Sequence, residues 1–142
     1  MKKSDISIEI YNAKPLSFQV NNDNIFEGDL KFENINLALN TEFQIDEKNS
    51  AVGIKVDLAV ILKENEKDLF SLISFFEFGV FDIKDVLIKR KGKNVLDSSF
   101  ARKLLNIAIG GTRGMLSVYL SSTQYKGFTL PIANIPDDFF ED

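Results

Sequence analysis

From Ile35 to Ile45 the chain alternates with a period of two residues. Ile35, Leu37, Leu39, Thr41, Phe43 and Ile45 fall on one side, and Asn36, Ala38, Asn40, Glu42 and Gln44 on the other. That is the signature of a strand with one face buried. The same period governs Val52, Ile54, Val56, Leu58, Val60 and Leu62, set against Lys55, Asp57 and Lys63. It also governs Ile6, Ile8 and Ile10, and resumes at Leu16, Phe18 and Val20 after the interruption at Asn12-Ala13-Lys14-Pro15. Pro15 has no N–H for a sheet ladder, so it predicts a bulge or an edge position. Leu69 to Phe81 is apolar at nearly every position, which predicts a strand buried on both faces. Polar breaks at Asn21–Asn24, Asp46–Ser50 and Glu64–Asp68 separate these segments.

After Asp82 the period changes. Ile83 to Val95 is mixed and basic and reads as a short helix followed by a loop at Lys91-Gly92-Lys93-Asn94. Asp97 or Ser98 can cap a long helix. Along that helix Phe100, Leu104, Ile107/Ala108, Gly111, Met115 and Val118/Tyr119 make one stripe, and Leu105, Ile109, Leu116 and Leu120 a second. A helix apolar on two sides touches more than its own sheet, so the chain is expected to form an oligomer. The tail Phe128-Thr129-Leu130-Pro131-Ile132 reads as extended, and acidic residues follow from Asp137. The expected class is α+β: a four-stranded antiparallel sheet, a long C-terminal helix and an extended tail, in one domain over residues 1–142. There is no internal repeat.

Composition narrows the chemistry. With no Cys and no His, thiol and imidazole nucleophiles, imidazole bases and thiolate or imidazole metal sites are all excluded. An enzyme built from what remains needs a carboxylate pair in a cleft, and no such pair is visible. The expectation is therefore no enzyme, no cofactor and no metal. The net charge of −4 opposes nucleic-acid binding, although residues 84–142 hold 9 basic against 6 acidic side chains. No apolar run approaches the ~18 residues of a membrane helix, and no signal-peptide core follows Met1. A cytoplasmic protein without membrane insertion is expected. The 13 Phe stand out, with Phe75-Phe76-Glu77-Phe78 and Phe139-Phe140 in close succession. Rings at that density need a core, a partner subunit or a ligand to cover them.

Four features invite a functional reading. Glu64, Glu66 and Asp68 are interleaved with Lys63 and Lys67 and lack calcium-loop spacing, so a solvated hairpin is preferred. Lys89-Arg90-Lys91-Gly92-Lys93 is read as a solvated turn before a phosphate site. Gly111-Thr112-Arg113-Gly114 resembles the GXXG loop of KH domains, which makes an RNA-binding module the competing class. Charge and element order oppose that reading. Gly110 and Gly114 share a helix face and read better as a close helix–helix contact, with Met115 and Val118 in the oligomer interface. Finally, Ile25, Phe26 and Leu30 are apolar in a polar connection beside aromatic strands, as an adaptable groove for extended peptides requires.

Six segments in order resemble the SecB family of export chaperones over about Ile8 to Ile135. They are Ile10-Tyr11 with Ser17-Phe18, the connection Asn24–Leu30, the alternation Ile35–Leu39, Gly79-Val80-Phe81, and the helix with its exit through Arg113 to Leu130-Pro131-Ile132-Ala133-Asn134. The resemblance implies a homotetramer built as a dimer of dimers, which binds unfolded polypeptides in hydrophobic grooves without ATP. It implies a client groove at Phe26, Leu30, Ile35, Leu37 and Leu39, to which pattern adds Phe78 and Tyr119. Pro15, Gln19 and Ser74 stand where the family carries acids for the SecA translocase, and the sequence stops at Asp142, short of the family's SecA-binding tail. Weak SecA coupling is therefore expected. A SecB-like chaperone paired with a toxin–antitoxin system, with an antitoxin as partner, is the alternative.

Overall fold

The computed structural model describes residues 7–21 and 31–130. Phe26, Leu30 and the acidic tail, all singled out in the sequence, lie outside the described residues. Four long strands form one antiparallel sheet: β1 (Ile8–Val20), β2 (Ile35–Asp46), β3 (Ala51–Leu62) and β4 (Asp68–Val80). Their spatial order is β1-β4-β3-β2, which makes β1 and β2 the edges. A two-stranded hairpin, β5 (Leu87–Arg90) and β6 (Lys93–Leu96), leads into the helix α1 (Ser98–Leu120). This is the expected α+β class, with the sheet first and the long helix after it.

Pro15 lies on an edge strand, where its missing N–H costs least. The β1–β4 register shifts twice, between Ile10 and Asn12 and between Pro15 and Ser17. Ile83 to Val95 departs from expectation. A single 3-10 turn, Ile83–Val86, is followed by the β5–β6 hairpin rather than by a helix and a loop. Lys91 and Gly92 both have positive φ, 54° and 79°, as a two-residue hairpin turn requires. The lysine at the first of these positions hides the Asn-Gly-like signal.

Asp97 is the N-cap of α1; its Oδ2 accepts from the Phe100 N–H at 3.3 Å. The helix lies over β3, β4 and β1. One face of the sheet is consequently sealed: Val52, Ile54, Val56, Phe76, Phe78 and Val80 meet Leu104, Leu105 and Ala108 in one half of the core. Leu58, Val60, Phe70 and Leu72 meet Leu116 and Leu120 in the other. Strand β4 is not buried on both sides in the single chain. Its helix-facing residues are buried, but Ile73 and Phe75 on the far face are half-buried, since among the described residues no second layer covers them. Aromatic rings lie across glycines on that face. Tyr11 occupies the space over Gly79, and Phe75 the space over Gly53.

Gly111–Gly114 lies inside α1, so the KH-type loop is absent from these residues: their backbone amides belong to the helix. Ser74 faces the helix and is fully buried. It therefore does not sit on the outer sheet surface where an acid for SecA would stand. The exit from α1 is tied down by rings. Phe70 contacts Tyr125 at 5.0 Å and Phe128 at 5.2 Å, and Phe32 meets Phe128 at 5.4 Å between centroids. The Tyr125 hydroxyl donates to the Asn21 carbonyl at 2.8 Å.

Candidate functional site

Edge strand β2 is where the single-layer construction leaves apolar surface open. Its inward face repeats Leu37, Leu39, Thr41, Phe43 and Ile45, opposite Val60, Leu58, Val56, Ile54 and Val52 of β3. The β3 partners are buried by the helix, whereas Leu37 remains 39% exposed and Leu39, Phe43 and Ile45 half-buried. One helix spans about 10–12 Å with its side chains, enough for roughly two strands at a spacing of about 4.8 Å. Centred on β3 and β4, α1 stops short of the edge.

Two hollows follow this uncovered strip. One, of about 220 Å³, is lined by Leu37, Leu39, Val56, Leu58, Ile109, Thr112 and Leu130. It is almost purely apolar; its one polar wall residue, Thr112, spends its proton on the Ala108 carbonyl at 2.9 Å. The other, of about 440 Å³, lies between Phe43 and Ile45 of β2, Ala101 of α1 and the hairpin residues Arg90, Asn94, Val95 and Leu96. The hairpin holds its place through buried Leu96, the Asp97 N–H bond to the Val86 carbonyl at 2.7 Å, and the Asn94 amide donating to Glu47 at 3.2 Å. Four residues of β2 separate Leu39 from Phe43, or about 13 Å of strand. Among the described residues no strand pairs with the outer edge of β2.

Of the proposed groove residues, Leu37 and Leu39 come together here. Ile35 does not contribute open surface: at 5% exposure it belongs to the core beside Leu58 and Leu62. Phe78 has no exposed surface at all, because β4 is central and its even-numbered side chains point under the helix. Tyr119 is half-buried on the other side of α1, stacked on Phe18 of β1 with centroids 5.0 Å apart. It therefore lines no wall of the β2 groove. Phe43, Ile45 and the helical wall Ile109 and Thr112 were not among the expected site residues. The alternation already placed Phe43 and Ile45 on the face of Leu37 and Leu39.

The helix presents a second open surface. Gly110, Gly114 and Val118 recur at a spacing of four on the face away from the sheet, with Val118 71% exposed. Among the described residues a Cβ at Gly110 or Gly114 would meet nothing within 4 Å. Met115 does not share that face; it is half-buried against both halves of the core.

No family model matches the sequence, and no curated protein does. Among solved structures, the fold is similar to that of the SecB-like chaperone Rv1957 of Mycobacterium tuberculosis, in complex with a ChAD peptide from the HigA1 antitoxin, Rv1956. The TM-score is 0.58 over 89% of this chain and 88% of that one, at 10% sequence identity. The chain thus has a SecB-like fold. Among the described residues, no helix is long and apolar enough to cross a membrane.

Proposed function

We propose that the protein is an ATP-independent holdase, a binding protein and not an enzyme, which captures extended apolar segments of unfolded polypeptides along β2. The observation that carries this reading is the apolar strip of an edge strand left uncovered by the only long helix described. Burying apolar side chains there yields about 25 cal/mol per Å² without reading sequence. Main-chain hydrogen bonds to the outer edge of β2 add affinity that is equally blind to sequence. Preference for unfolded clients follows, because folded ones lack long accessible apolar stretches. Binding the unfolded state alone shifts its equilibrium by mass action, so no nucleotide is needed.

The open Gly110, Gly114 and Val118 face supports assembly of several copies in the cytoplasm, with a homotetramer as the expected form. Several grooves on one assembly raise avidity by about 10² to 10⁴. The decisive measurement is light scattering from a chemically denatured client diluted with and without the protein, in the absence of ATP. Suppressed aggregation at near-stoichiometric ratios is expected; an unchanged scattering trace overturns the reading. A second reading, in which the physiological client is an antitoxin segment, is favoured by the peptide seated on the similar Rv1957 chaperone. Co-expression with an adjacent toxin–antitoxin operon, scored by growth rescue, tests it. SecA is not an expected partner, and calorimetry against it should show no tight complex.

A further inference from the structure

The exit from α1 enters the smaller hollow and advances along the groove. Phe128 meets Phe32, which immediately precedes β2, at 5.4 Å between centroids. Two residues later Leu130, only 6% exposed, lines the smaller hollow beside Leu37 and Leu39. The chain therefore travels in the direction in which β2 itself runs, toward Phe43 and Ile45 at the larger hollow. That heading is fixed by anchors behind it. Phe70 holds Tyr125 at 5.0 Å and Phe128 at 5.2 Å, and the Tyr125 hydroxyl donates to the Asn21 carbonyl at 2.8 Å.

Beyond Leu130 the sequence runs Pro131-Ile132-Ala133-Asn134-Ile135-Pro136-Asp137-Asp138-Phe139-Phe140-Glu141-Asp142. It repeats the apolar chemistry that the groove accepts, first in Ile132 and Ile135 and then in the ring pair Phe139-Phe140. The two hollows lie about 13 Å apart along β2. At about 3.3 Å per residue, Ile135 can reach about 17 Å from Leu130 and Phe139 about 30 Å, so both span that gap. We infer that the segment Ile132–Phe140 is a built-in competitor for the β2 groove: it occupies the apolar strip when no client is present, and a client must displace it. This rests on the holdase reading and adds regulation to the same site. Tethering gives the segment an effective concentration of about 1 mM, enough to hold off any single apolar side chain of a folded protein. Pro131 and Pro136 carry no N–H, so at those positions the segment cannot donate to the outer edge of β2. A long unfolded client fills both hollows and makes those main-chain bonds as well, and so displaces it. The groove thereby opens to unfolded chains and stays shut to stray apolar contacts.

The test is fluorescence anisotropy with a labelled peptide of alternating Leu and Phe, using the full chain and its Phe139→Ser, Phe140→Ser variant. A groove filled about nine-tenths of the time by its own segment lowers apparent affinity about tenfold, so the variant should bind about tenfold more tightly. A free peptide with the sequence of residues 131–142, at about 1 mM, should displace the label from the variant, and the same peptide with both Phe replaced by Ser should not. Equal affinity of the two proteins, or no displacement by the free peptide, overturns the self-competition and leaves the holdase reading intact, because both proteins still capture the label. Weaker binding by the variant also overturns it, since the segment would then be part of what clients grip. No binding by either protein, with no suppression of aggregation, overturns both readings.

Discussion

Gly111 of α1 stands against the ring of Phe76 on β4, so close that a Cβ on the glycine would fall 2.5 Å from the ring's Cε1 and 2.8 Å from its Cζ. The helix settles onto the sheet at this point because one side chain is missing. The groove depends on that closeness, since the depth of α1 over β3 sets how far its wall residues Ile109 and Thr112 stand from Leu37 and Leu39.

Replacing Gly111 with alanine should therefore destabilise the fold, although alanine is the better helix former by about 1 kcal/mol. Overpacking against a buried ring costs about 1–3 kcal/mol and wins. The neighbouring glycines should behave oppositely. Gly110→Ala and Gly114→Ala meet open space and should each raise the stability of the single chain by about 0.5–1 kcal/mol. If copies assemble through that face, the same two substitutions should lower the oligomer population. Urea midpoints and light scattering on the three variants separate the effects.

Ser74 and Thr112 form a buried hydroxyl pair, 2.9 Å apart, between β4 and α1. Thr112 gives its proton to the Ala108 carbonyl at 2.9 Å, so Ser74 is the donor between them. Its other acceptor, the Val56 carbonyl, is at a long 3.5 Å. Thr112→Val should strand the serine and cost about 1–3 kcal/mol. Adding Ser74→Ala should recover much of that loss, because removing both partners leaves no buried polar group unmet. A double-mutant cycle by denaturant unfolding measures the coupling, and strict additivity would contradict the pairing.

The alternation of apolar residues made the strands legible, and the Asp97 cap with its following stripe made the helix legible. Both signals are local consequences of period. Phe78 illustrates what period cannot convey. The apolar run Leu69–Phe81 predicts burial without saying which face the helix seals, and the order β1-β4-β3-β2 with α1 over β4 puts Phe78 on the sealed one. Tyr119 fails for a related reason: a helical stripe gives a face but not which edge of the sheet that face meets. Leu37 and Leu39 were legible as a pair, yet the hollow they line is closed by Ile109, Thr112 and Leu130, which lie about 70 residues or more further along the chain. The Gly110–Gly114 run admits a loop as its competing reading because glycine clusters usually break helices; the preferred placement inside the helix is the one observed, and Gly111 is required there by contact with Phe76.

Tyr125 should make stability depend on alkaline pH. Burial raises its hydroxyl above the ordinary value of 10.0, with the Gln124 hydrogen bond opposing the rise. The folded chain therefore keeps the proton after the unfolded chain has begun to lose it. The stabilisation is complete below the unfolded value, falls as the pH passes through about 10, and is gone above the raised folded value. Tyr125→Phe removes the 2.8 Å bond to Asn21 and should cost about 1 kcal/mol at neutral pH. The variant should also lose less stability than the parent between about pH 8 and about pH 11. Urea midpoints of both proteins at the two pH values provide the comparison.

Leu37 and Phe78 give the sharpest division between capturing a client and holding the fold. Leu37→Asp places a carboxylate at a position already 39% exposed, so its cost in unfolding free energy should be about 1–2 kcal/mol, which the fold can bear. Yet it sets a charge in the wall of the smaller hollow, where an apolar client side chain would have to desolvate it, and client capture should fall several-fold. Phe78→Ala empties a fully buried site and should cost about 3–5 kcal/mol, a loss that many domains of this size do not survive. Aggregation suppression by folded Leu37→Asp is the informative readout. If that variant folds and protects a denatured client as well as the parent, the β2 strip is not where unfolded chains are held. If it folds and fails to protect, loss of capture is separated from loss of structure, which the core substitution cannot do.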